Sequence, residues 1–78
     1  MIDNIQTPEK IARHYSSSLD SVNLINELMS KPALTENESK VVERNVEHLR
    51  IMVGRDFWTV EDLTPLQNAI EAGSFKPQ

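Results

Sequence analysis

Seventy-eight residues make at most one domain, and a chain this short buries a thin core. It has no cysteine and only two histidines, which excludes disulfides, thiolate metal sites and an imidazole zinc site. The net charge of -4, with both signs mixed along the chain, favours solubility and weighs against non-specific binding to nucleic acid or anionic lipid.

The first signal is Thr7-Pro8-Glu9, a helix cap followed by proline at the first helical position and an acid near the positive end of the dipole. Ile11, Ala12 and Tyr15 give this helix one apolar face. The serines 16–18 are poor helix interior and good caps, so the spacing predicts an end near Ser16 and a second helix from Ser17 or Ser18. One bent unit is the alternative. Leu19, Val22, Ile25, Leu28 and Met29 recur at helical intervals until Pro32 stops the run.

Thr35-Glu36-Asn37-Glu38 reads as a capping box that opens the long central helix. Val42, Val46, Leu49 and Val53 form its stripe, widened by Val41 and Met52, and Gly54 is expected to end it in a left-handed turn. Thr59-Val60-Glu61-Asp62 has the cap and early acids of another helix. Pro65 then interrupts: either a short segment ends at Thr64 and a new helix follows, or one helix kinks there. Leu66, Ala69 and Ile70 are the apolar face of the last helix, and Gly73 is expected to stop it.

No segment alternates like a strand. The expected fold is all-α, a small bundle of three main helices plus short helical segments. Its expected limits are a flexible N-terminus over 1–6, one helical domain over 7–73 and a tail over 74–78. No run approaches the roughly 20 apolar residues of a membrane span, and the N-terminus lacks signal-peptide features, so the expectation is no membrane and a cytoplasmic location.

Glu43 and Glu47 share a helix face, but Lys40, Arg44 and Arg50 surround them and no third ligand converges, so they read as a solvated charged face. Lys40, Arg44 and His48, with Arg55 beyond, form a line that suits phosphates. Its flanking acids Glu36, Glu43 and Glu47 oppose that use. His48 and His14 read as boundary histidines, and Asn45 as a candidate for an interhelical hydrogen bond. No serine or cysteine stands in a nucleophile arrangement, and Gly54 and Gly73 form no phosphate loop, so neither an enzyme nor a cofactor is expected.

Arg55, Phe57 and Trp58 are the candidate partner-binding residues, with Phe75 in the tail as a further contact. Tryptophan is common at binding hot spots, and it equally pins helices in a small core, which is the favoured reading for Trp58.

Asn45-Val46-Glu47-His48-Leu49, Phe57-Trp58-Thr59, Glu61-Asp62-Leu63 and Ala69-Ile70-Glu71-Ala72-Gly73 resemble short open reading frames of tailed bacteriophages. So do Thr7 to Tyr15 and Ser18 to Asn26, so the resemblance spans about Thr7 to Gly73; Pro65 departs from it. It implies a source, a bacteriophage acting in a host cell or in the particle, and no activity or functional residues. The leading expectation is a non-enzymatic interaction module that binds a host or phage protein as inhibitor or adaptor. A minor virion or assembly protein, oligomeric with itself, is the alternative, and a nucleic-acid-binding helical protein the third.

Overall fold

Three helices pack pairwise on one another: α1 (Pro8–Met29), α2 (Glu36–Val53) and α3 (Thr64–Ser74). The computed structural model describes residues 7–74, and among these there is no strand. The expected N-terminus 1–6 and tail residues 75–78, Phe75 included, lie outside the described residues.

The serine run does not end a helix. α1 continues through it for 22 residues, so the two expected N-terminal helices are one. The physical reason is that the inner serines are satisfied in place. Ser18, fully buried, donates from Oγ to the His14 carbonyl one turn back at 2.8 Å. Ser21 Oγ, also buried, lies 3.1 Å from His48 Nδ1 on α2. Ile11, Ser18, Val22, Ile25 and Leu28 then share one buried face along the whole helix. Thr7 caps its start, accepting from the Lys10 N–H at 3.2 Å.

α2 begins in the capping box. Glu38 N–H donates to Thr35 Oγ1 at 3.1 Å, and Thr35 N–H donates to Glu38 Oε1 at 2.9 Å. Lys31, in the α1–α2 connection, pairs with Glu38 through Oε2. Val42, Val46, Leu49 and Met52 are its buried stripe. Asn45 does not bridge helices; its Nδ2 donates to the Val41 carbonyl on its own helix at 2.8 Å.

The two glycines do not do what their positions suggest. Gly54 caps α2 with φ -77° and ψ -7°, an ordinary right-handed turn open to any residue, so the expected left-handed stop is absent. Gly73 does not stop α3, which runs on to Ser74. It is buried in the last turn, and a Cβ there would overlap Val46 Cγ2 and lie 3.2 Å from Val42 Cγ1 and 3.3 Å from Ile25 Cγ2. Gly73 is where α3 presses closest on the other two helices. Arg50 closes the same contact from α2, donating from Nη2 to Ser74 Oγ at 2.9 Å.

The segment 59–62 is not helical, contrary to its cap-like start. Glu61 turns back instead, its Oε1 accepting from the Thr59 N–H at 3.1 Å. Asp62 Oδ1 accepts the Thr64 N–H at 3.0 Å, and α3 starts there with Pro65 in its first turn, where a missing N–H is harmless. The core of this bundle is Val22, Ile25, Leu28, Val42, Val46, Leu49, Met52, Leu66 and Ala69.

The glycines separate two effects of the same substitution. Gly54→Ala meets only ordinary contacts, at 3.5 Å from the Arg50 and Ile51 carbonyls, so it is expected to leave stability unchanged or raise it by up to about 1 kcal/mol. Gly73→Ala gains helix propensity but collides with a stiff β-branched neighbour, and is expected to cost about 1–3 kcal/mol. Urea denaturation of both variants checks this, and Val46→Ala combined with Gly73→Ala should cost less than the sum of the two single variants.

Candidate functional site

The residues singled out by sequence, Arg55, Phe57 and Trp58, lie in the connection between α2 and α3. Three of the chain's four aromatic residues meet there: Tyr15 of α1 joins Phe57 and Trp58. The ring of Trp58 stands edge-on to Phe57 at 4.8 Å and to Tyr15 at 6.1 Å between centroids. Both geometries suit the ring quadrupoles.

Hydrogen bonds tie both ends of the connection. Trp58 Nε1 donates to the Met52 carbonyl, in the last turn of α2, at 2.7 Å. Arg55 N–H donates to the same oxygen at 3.1 Å. Tyr15 Oη donates to the Asp62 carbonyl at 2.7 Å, which fixes the entry to α3 on α1. The loop is thereby clasped to both neighbouring helices.

Phe57 has two further neighbours. The His14 imidazole stacks on it at 5.1 Å with an interplanar angle of 22°, and the Arg55 guanidinium carbon lies 5.6 Å from its centroid. That places an exposed cation on an aromatic face. Phe57 and Trp58 are both half-buried and pack against the core. Val60, at the tip of the loop, is 90% exposed.

Two carboxylates hold the loop's shape, and both titrate below their ordinary range. Glu61 is lowered from 4.5 chiefly by the Thr59 N–H, and Asp62 from 3.8 chiefly by the Thr64 N–H. Glu38 of the capping box is lowered from 4.5, first by Lys31 and next by the Thr35 N–H.

The remaining sequence candidates fall elsewhere. His48 is turned toward Ser21 and is half-buried, so it does not stand in one exposed line with Lys40 and Arg44. Glu43 and Glu47 are exposed on α2. Among the described residues no group of three or more His, Asp or Glu side chains is placed to hold a metal ion. None of the described helices is long and apolar enough to cross a membrane. A shallow cleft of about 230 Å³ lies between α2 and α3, lined by Glu43, Val46, Arg50, Gly73 and Ser74.

Sequence pattern missed Tyr15 as a half of the clasp and His14 as the ring stacked on Phe57. Tyr15 and Asp62 are 47 positions apart, and the helical period that places Tyr15 on an apolar face does not say which loop covers it. The exposure of Val60 carried no signal either, because Thr59 to Asp62 reads as a helix start.

No protein-family model, curated protein or solved structure matches this chain.

Two measurements test the clasp. Trp58→Ala removes a half-buried indole and its hydrogen bond, and is expected to cost about 2–3 kcal/mol, less than the roughly 3–5 of a fully buried aromatic. Trp58→Phe keeps most of the ring area and is expected to cost about 1 kcal/mol for the lost hydrogen bond. Denaturant midpoints of the two variants give both values.

The lowered carboxylates set a pH dependence. A group whose folded pKa is depressed stabilises fully above its ordinary pKa and loses that contribution as pH falls through its folded pKa. Stability is therefore expected to be flat from neutral pH down to about 5, then to fall as Glu38, Glu61 and Asp62 protonate below their ordinary values of 4.5, 4.5 and 3.8. Asp62→Asn and Glu38→Gln should each flatten that acid limb in urea titrations at stepped pH.

Proposed function

We propose that this chain is a non-enzymatic protein-interaction module that docks through the outer surface of the clasp, with Arg55, Phe57 and Val60 as the contacting side chains. The observation that carries the reading is the combination of a pinned loop and an exposed tip. Trp58 and Tyr15 hold the backbone at both ends, while Val60 is 90% exposed and Arg55 lies open beside Phe57. A loop already held in one shape loses little conformational freedom on binding, and that saving supports affinity.

Trp58 has a different role in this reading from Arg55 and Phe57. Its N–H is engaged within the chain and its ring is wedged between Phe57 and Tyr15, so it shapes the surface and does not enter the partner. The non-enzymatic part of the reading is supported by the placement of polar groups. Ser21, which meets His48, is 7% exposed at the contact between α1 and α2, where a substrate would not reach its hydroxyl.

The resemblance to short reading frames of tailed bacteriophages gives the partner its source: a host or phage protein in an infected bacterial cell, bound as inhibitor or adaptor.

The test is a comparative pull-down from bacterial lysate. Tagged wild-type protein is expected to retain one stoichiometric protein, and Arg55→Ala and Val60→Asp are expected to reduce that retention at least tenfold. Far-UV circular dichroism of both variants should match wild type, because neither side chain is part of the buried core. Retention undiminished in both variants, or no retained protein at all, contradicts the proposal.

A further inference from the structure

We draw no further inference here: the strongest candidate, the exposed apolar side chains Leu24 on α1 and Ile51 on α2, is a surface patch for which nothing in the structure shows what covers it.

Discussion

The hydrogen bond from the Trp58 indole to the Met52 carbonyl is the interaction on which the arrangement of the loop and α3 depends. A helix leaves its last carbonyls without intrahelical partners, and α2 ends at a glycine that makes no left-handed cap. The Met52 carbonyl accepts the Arg55 N–H, and the indole adds a second bond to it from six residues downstream. In doing so it folds the connection back onto the end of α2. Phe57 is then brought against His14, and Asp62 comes within reach of Tyr15. The point at which α3 starts follows from this return.

Where α3 comes to rest is set by a second constraint, the absence of a side chain at Gly73. A helix of 11 residues is close to the limit at which propensity alone fails, so tertiary packing must hold it. Leu66 and Ala69 enter the core, and Gly73 lets the last turn approach Val42, Val46 and Ile25 closely. Arg50 and Ser74 finish that contact at its solvent edge. The clasp fixes the beginning of α3 and the glycine contact fixes its end. The surface of the α2–α3 connection, including Val60, is consequently presented by backbone held on both sides.

The local signals were legible in the sequence where the physics is local. Thr7-Pro8 and the Thr35-Glu38 capping box are satisfied within three residues, and both appear as read. The apolar stripe of α2 and the all-helical class followed from periodicity. The errors arose where a residue has two uses. Serine caps helices and also sits inside them when its hydroxyl has a carbonyl one turn back, as Ser18 does, so the break at serines 16–18 was not real. Glycine ends helices and also permits close packing, and only the positions of Val42, Val46 and Ile25 distinguish these at Gly73. Thr59 and Glu61 resemble a helix start because the same carboxylate-to-N–H bond that opens a helix also closes a short turn. For the candidate site, Phe57 and Trp58 were visible as residues, whereas their partners His14 and Tyr15 were not, because pairing across more than 40 positions leaves no mark in one sequence.

Trp58 is the chain's single tryptophan, so its fluorescence reports on the clasp alone, while far-UV circular dichroism reports on the helices. The most direct test of the account is urea denaturation followed by both signals on the same sample. If the clasp is part of the core, the native emission is blue-shifted and the two transitions coincide in midpoint and slope, as for one cooperative unit. Native emission at the solvent-exposed position, or a fluorescence transition complete at lower urea than the loss of helix, would contradict it.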